Sequence, residues 1–344
     1  MKVLHLLQSN RFSGAENVVC QIIGMFRGDP NIEMVYSSRD GQIREALEER
    51  GIAFAPMSHL CIEEVRRVIR EQKPDIIHAH DMRASYIAAR VCGRIKLISH
   101  IHNNAFDSRG ISVKSIAYLL AAKKAKHIFW VSKSAYNGYV FHGCFKKKSS
   151  VLYNIISIPE LYKKMELDTQ SYGYDMAYVG RLSDPKNPQR LMRVLKKVAE
   201  QAPDVKIGIV GSGNLEDETK ALCHELGLDR NVDFLGFKSN PLKLLHDARV
   251  MVMTSRYEGT PMCALESMAL GVPIVSTPTD GLCELVDDGV NGYLSDDDDA
   301  LAAGILKLIR DKQLQSEFSN NIREKAEKLN DIEAYREAIS KSYQ

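Results

Sequence analysis

Long apolar runs are missing from this chain of 344 residues. Nowhere do about 18 apolar residues follow one another, so no segment reads as a membrane-spanning helix. The opening Met1-Lys2-Val3-Leu4-His5-Leu6-Leu7-Gln8 is too short for a signal peptide, and a cytoplasmic protein is expected. Cysteine is sparse and scattered: Cys20, Cys61, Cys92, Cys144, Cys223, Cys263 and Cys283 are odd in number and form no Cys-x-x-Cys pair. That pattern excludes a zinc or disulfide framework and predicts reduced thiols. No internal repeat is present, and the only low-complexity tract is Asp296-Asp297-Asp298-Asp299. No recognition module and no interleaving of aromatic with basic residues accompanies the basic stretches, so nucleic acid is not an expected partner.

What is present is a globular composition in an uneven arrangement. The hydrophobic share of 44% and charged share of 26% are those of an ordinary folded protein. The length predicts two domains of roughly 150 residues each. Residues 1–170 hold 25 Lys/Arg against 16 Asp/Glu, whereas residues 171–344 hold 21 against 28. Within 82–148 there are 13 basic residues and one acid, Asp107. Two readings stay open: a solvated surface, or a face for anionic lipid or a phosphate-bearing acceptor.

Short apolar runs alternate with helical patterns. Strands are expected at Val3–Leu7, Glu33–Ser37, Ile52–Phe54, Asp75–His78, Lys96–Ile101, His127–Val131 and Ser150–Tyr153. The series restarts at Asp175–Val179 and runs through Val205–Val210, Val232–Leu235, Val250–Met253 and Pro273–Ser276. Such alternation predicts an α/β protein with two parallel sheets, each covered by helices on both faces, and ligands at the carboxyl ends of the strands. The weakly periodic stretch around Pro159 reads as a linker, and the chain from Ala300 onward as helical.

Glu258 and Glu266 carry the strongest chemical signal. They lie in Tyr257-Glu258-Gly259-Thr260-Pro261-Met262-Cys263-Ala264-Leu265-Glu266, after the strand pattern Val250–Met253. Gly259 suits a turn, Thr260 a cap and Pro261 the first helical position. A helix opening there aims free amides and the positive end of its dipole at an anion such as phosphate. Two carboxylates flanking that seat suit a ligand bearing both hydroxyls and phosphates, as a nucleotide sugar does. On another strand end, Gly180-Arg181-Leu182 with Lys186 provides a fork and a point charge for a diphosphate. Gly211-Ser212-Gly213 is either a tight turn or a place where a base or phosphate approaches the backbone.

The ordered set Gly180-Arg181-Leu182, Lys186, Gly211-x-Gly213, Gly236, Glu258-x7-Glu266, Gly271-x-Pro273, Gly281-x-x-Glu284 and Asn291-Gly292 resembles the retaining nucleotide-sugar glycosyltransferases of family 4, of the bacterial capsule, exopolysaccharide and lipopolysaccharide type. The resemblance is dense over Asp175–Arg310 and looser before it. It implies the GT-B fold, two Rossmann-like domains facing a central cleft. The expected boundaries are an acceptor-side domain at 1–158, a linker at 159–173, a nucleotide-sugar domain at 174–328, and a helix at 329–344 returning to the first domain. It implies donor contacts from Gly14, Gly180, Gly211, Gly213 and Gly259–Met262. Glu258 would bind hydroxyls of the donor sugar and Glu266 those of the ribose. Arg181 and Lys186 would stabilise the leaving diphosphate. The family's Gly-Gly-x-Glu turn is matched by Ser13-Gly14-Ala15-Glu16, with Ser13 replacing the first glycine, and His102 matches its active-site histidine.

Glu16, His80, Asp81, His100 and Asn103 are expected on the acceptor side. His78-Ala79-His80-Asp81 also has the residue types of a metal site, but no third ligand at metal-like spacing is seen. The fold's transferases usually need no metal, so neither metal nor cofactor is expected. The implied reaction moves a hexose or N-acetylhexosamine from a nucleoside-diphosphate sugar, UDP-linked before GDP-mannose, to a hydroxyl of a glycan or polyprenyl-linked acceptor in cell-surface polysaccharide synthesis. The segment 112–126 with Lys146-Lys147-Lys148 suggests peripheral contact with an anionic membrane. Two alternatives share these residues: a sugar-nucleotide epimerase, and a non-catalytic nucleotide-sugar-binding protein.

Overall fold

A computed structural model describes residues 1–12, 14–102, 108–279 and 281–344. The chain divides into two compact units, Met1–Ile155 with Ile332–Gln344, and Ile156–Asp331.

The first unit is built on a six-stranded parallel sheet of order β2-β1-β3-β4-β5-β6. Its strands are β1 (Lys2–Leu6), β2 (Glu33–Ser37), β3 (Ile76–His80), β4 (Lys96–Ile101), β5 (His127–Trp130) and β6 (Ser149–Val151). All five residues of β3 are buried, as expected of a central strand with helices on both faces. The core gathers Leu4, Leu6, Ile77, Ile101 and Trp130 from the sheet with Val65 and Val68 from the helix Ile62–Gln72. The chain-terminal helix Ile332–Tyr343 belongs to this unit and buries Tyr335, Ile339 and Tyr343. The Arg336 guanidinium donates to the Met25 carbonyl at 3.1 Å, and the Lys96 ammonium donates to the Tyr343 carbonyl at 2.9 Å.

The second unit repeats the design with β7 (Met176–Val179), β8 (Ile207–Val210), β9 (Val232–Phe234), β10 (Val250–Met253), β11 (Ile274–Ser276) and β12 (Gly292–Leu294). Their order is β12-β11-β10-β7-β8-β9, all parallel. The helix Pro188–Gln201 buries Leu191, Met192, Val194, Leu195 and Val198. Each such side chain contributes about 1.5–3 kcal/mol when fully buried.

In both sheets the direction of winding reverses, between β1 and β3 in the first and between β7 and β10 in the second. Loops leaving the two strands beside such a point diverge and open a crevice at their carboxyl ends. Three sequence expectations differ from what is seen. The stretch 159–173 contains the helix Ile158–Glu166, because Ser157 caps it, Pro159 suits its first turn, and Leu161 and Met165 find apolar cover. Ile52–Phe54 makes only an isolated bridge, Tyr36 with Phe54. β12 is an edge strand that three residues gave no periodicity to reveal.

Candidate active site

The second unit's crevice is lined by the loops after β7 and β10. The β7 loop carries Gly180, exposed Arg181 and, in the single turn Asp184–Lys186, Lys186. The β10 loop carries Ser255 and Glu258. Two bonds hold the loops together: the Arg256 amide donates to the Pro185 carbonyl at 2.8 Å, and the Thr254 hydroxyl donates to the Asn187 carbonyl at 3.1 Å. Lys186 and Glu258 form an ion pair across them, with side chains only 18% and 9% exposed. Ser255 Oγ donates to the same Glu258 carboxylate at 2.6 Å. Burial pulls the Lys186 ammonium down, but Glu258 and Cys263 together hold Lys186 above its ordinary value, against a smaller opposing push from Arg181.

Beyond Glu258 the helix Met262–Leu270 begins. Its N-cap is Pro261 in extended conformation, and the Pro261 ring makes no capping bond. Pro261 rather than Thr260 thus holds the N-cap position, because extended backbone at Pro261 delays the first helical residue to Met262. The amides of Met262 and Cys263 at this helix start suit an anion. Glu266 follows one turn in, and burial raises its carboxyl to about 7, with Lys164 opposing. The Cys263 thiol is pushed up to about 12, first by burial; Lys186, Glu258 and Glu266 all act on it electrostatically, which places the three around one helix start.

Close backbone contacts explain the glycines. A Cβ at Gly211, where φ is +139°, would lie 1.9 Å from the Gly180 carbonyl oxygen, and one at Gly281 would lie 1.5 Å from that of Gly259. Gly213 lies against Leu182 in the same manner as Gly211 against Gly180. The Gly-x-Gly turn thus has a packing reason of its own: it locks the β8 turn onto the β7 loop.

In the first unit, Gly14 opens the helix Gly14–Met25, and Glu16 is buried in its first turn. Asp81 follows β3 with φ at +95°, a strained value for a residue bearing a Cβ, and its carboxylate caps the helix Met82–Val91 by accepting the Ala84 amide at 2.7 Å. Burial raises the Asp81 carboxyl to about 6, the Glu16 charge adding to the rise while the Ala84 and Arg83 amides oppose it. His80 and His102 are bonded, Nδ1 to Nε2, at 2.8 Å, and the His100 and His102 rings stack at 4.3 Å. Asn103, with Ser13 and Asp280, lies outside the described residues.

Sequence reasoning missed Ser255 and His5, and weighed His78 only as a metal ligand. Ser255 could have been found from its place three residues before Glu258. His5 could not, because its partner His80 lies 75 residues away. The reason given against a histidine metal site also needs correction. The fold does supply third histidines: one ring nitrogen from each of His5, His78 and His80 lies within 4.8 Å of the others, and the same holds for His80, His100 and His102. His78 with His80 and His100 with His102 stack with planes 21° and 25° apart.

Two family profiles match the chain, one described as Glycosyltransferase Family 4 over residues 13–158 and one as Glycosyl transferases group 1 over residues 164–325. The chain belongs to glycosyltransferase family 4. It is a glycosyltransferase with the GT-B fold. An uncharacterized glycosyltransferase of Methanocaldococcus jannaschii is 27% identical over 312 residues, covering 75% of this chain and 77% of that one. The Campylobacter jejuni N-acetylgalactosamine-N,N'-diacetylbacillosaminyl-diphospho-undecaprenol 4-alpha-N-acetylgalactosaminyltransferase is 30% identical over 196 residues, 56% of this chain and 53% of that one. The crystal structure of Anabaena HepE in complex with UDP-glucose superposes with a TM-score of 0.87 at 24% identity, covering 99% of both chains. Among the described residues of this glycosyltransferase, no helix is long and apolar enough to cross a membrane.

Proposed function

We propose that this glycosyltransferase moves a hexose or N-acetylhexosamine from a UDP-sugar to a hydroxyl of a glycan or polyprenyl-linked acceptor in cell-surface polysaccharide synthesis, with retention at the anomeric carbon. The observation that carries the reading is the buried Lys186–Glu258 pair beside the start of the Met262–Leu270 helix. In the free protein the two groups neutralise each other. With donor bound, Lys186 and Arg181 turn to the diphosphate, joined by the amides at Met262, while Glu258 accepts from sugar hydroxyls and Glu266 from the ribose. As the glycosidic bond breaks, negative charge grows on the leaving phosphate, and these fixed cations and dipoles stabilise it. The acceptor oxygen attacks from the face the phosphate leaves, and the phosphate oxygen takes its proton. Glu258 is a hydroxyl-binding group here, not the nucleophile of a retaining hydrolase. His102 orients the transferred sugar, and no metal is required.

UDP-bound HepE supports UDP as the nucleotide, and the undecaprenol in the name of the Campylobacter relative supports a lipid-linked acceptor. The helix Val113–Lys124 supports membrane proximity: Val113, Ile116 and Leu120 share one exposed face, 86%, 47% and 51% accessible, while Tyr118, Ala121 and Ala122 pack inward. Lys114, Lys123 and Lys124 flank that exposed face. A melting panel of UDP-, GDP- and ADP-sugars tests the donor, with UDP-sugars expected to raise the transition most. The product's anomeric proton, read by NMR, must match the donor's configuration. An inverted product, or activity lost to EDTA and restored by magnesium, overturns the mechanism.

A further inference from the structure

Two donors meet one oxygen of Glu258. The Lys186 ammonium and the Ser255 hydroxyl both donate to Oε1, the serine at 2.6 Å. They differ in charge and in reach. Lysine carries a full positive charge on a flexible four-carbon stem, so it can swing to another anion. Serine carries a neutral hydroxyl one rotatable bond from its backbone, so it goes only where that backbone goes. The backbone is fixed here on two sides. Thr277, just past the end of β11, donates its hydroxyl to the Ser255 carbonyl at 2.7 Å. Both chain neighbours of Ser255 are tied to the β7 loop: the Thr254 hydroxyl donates to the Asn187 carbonyl at 3.1 Å, and the Arg256 amide to the Pro185 carbonyl at 2.8 Å. Thr254, Ser255 and Thr277 are all buried, so water competes little for their side-chain bonds.

Without ligand the two donors share the task of orienting the carboxylate. A diphosphate separates them, because it attracts the ammonium and has no such pull on a neutral hydroxyl whose backbone is pinned. Glu258 then keeps the serine bond while its counterion turns away. The side chain of Glu258 is only 9% exposed, so water does not readily replace the lysine. A hydrogen bond to a charged acceptor in such surroundings is among the stronger ones. A bond at Oε1 also limits rotation of the carboxylate, and with it the direction in which Glu258 accepts from a sugar hydroxyl.

We propose that Ser255 is a positioning residue for the transfer reaction: it takes over the hold on Glu258 when Lys186 turns to the diphosphate, so that the carboxylate meets the donor sugar in a fixed orientation. The diphosphate and the sugar contact rest on the function proposed above. The hold of Ser255 on a Glu258 that lacks Lys186 does not, and it can be read without any substrate.

Denaturant melts of the ligand-free protein supply that reading, with K186A standing in for the state in which the lysine has left. S255A should lower the folding equilibrium constant by about 2- to 10-fold in the wild type, where Lys186 still holds the carboxylate, and by more than about 10-fold in K186A. Equal losses in the two backgrounds mean that the serine takes over nothing, and they overturn the inference. Initial rates supply the second reading. S255A should lower turnover of the donor chosen by the melting panel about 10- to 100-fold, with UDP affinity changed by less than about 3-fold, since the serine acts through Glu258 and not on the phosphates. The double variant S255A/E258A should turn over no more slowly than E258A, because no carboxylate remains to be held. A serine that merely supports the loop lowers turnover by the same factor with or without Glu258. That result, or wild-type turnover by S255A, overturns the inference. Full turnover by E258A overturns instead the sugar-binding role assigned to Glu258.

Discussion

Lys186 and Glu258 depend on each other before any ligand arrives, since each is mostly buried and each neutralises its neighbour. Removing one leaves a sealed charge, so K186A and E258A should each destabilise the protein by roughly 1–3 kcal/mol, and the double variant should lose less than the sum of the two. Transfer should fall about 10²–10³-fold in K186A, the range for loss of one group aimed at developing charge. Denaturant melts and initial rates on the same preparations check both numbers. Glu266 supplies a pH prediction. Burial raises its carboxyl to about 7 in the folded protein, above the ordinary 4.5. The folded state therefore favours the protonated form, and the wild type loses stability as pH rises from 4.5 until the loss is complete above 7. E266Q escapes that cost, so its melting temperature should exceed the wild type's by a margin that widens from pH 5 to pH 8. Donor affinity should strengthen through pH 7 in the wild type and stay flat in E266Q, as measured by calorimetry. Both glutamates were legible from the sequence because a strand, a turn and a helix start fall within ten residues.

The strand-end loops work because they touch backbone to backbone, and glycine is what permits it. G281A would drive a methyl group into the Gly259 carbonyl, from which its ideal position is 1.5 Å away, so the loop bearing Glu258 must shift. A loss of about 1–3 kcal/mol together with weakened nucleotide binding is expected, read by thermal denaturation with and without UDP. Unchanged binding would show that the loop tolerates displacement. Most elements were legible from apolar runs and period, since central parallel strands are buried on both faces. The misses share one cause. β12 is three residues at a sheet edge, Ile52–Phe54 pairs through a single bridge, and the helix Ile158–Glu166 has only Leu161 and Met165 to mark its inner face. Short elements carry too few side chains to display a period.

The first unit is completed from both ends of the chain, and its histidines make it sensitive to acid. Burial depresses His5 and His102 to about 3 and drives His78, His80 and His100 well below 6.5. Unfolding therefore takes up protons below pH 6.5, and stability falls with falling pH by about 1.4 kcal/mol per histidine per pH unit until the folded value is reached. The melting temperature should drop steeply between pH 6.5 and 5, and a histidine-to-glutamine change in the row should make that slope shallower. The helix Ile332–Tyr343 closes the row, with the Tyr343 hydroxyl bonded to His78 Nδ1 at 2.8 Å. Y343F leaves that nitrogen buried and unpartnered and should lower stability by about 1–3 kcal/mol without changing donor affinity. Vesicle flotation tests the exposed face of the helix Val113–Lys124: salt should strip the protein from anionic vesicles, and L120D should abolish binding at low salt.

The sequence by itself determined the α/β class and the two parallel sheets, and its ordered motifs from Gly180 to Glu284 carried the resemblance to the family. The class and the sheets rest on local pattern, and local pattern follows from the chain's own periodicity and turn chemistry. Only the tertiary structure decided that Lys186 pairs with Glu258, that Pro261 rather than Thr260 takes the N-cap position, and that five histidines on or just beyond three strands form one row. Those contacts join residues as many as 75 positions apart, and strand order, which the spacing of residues along a chain does not encode, is what brings them together.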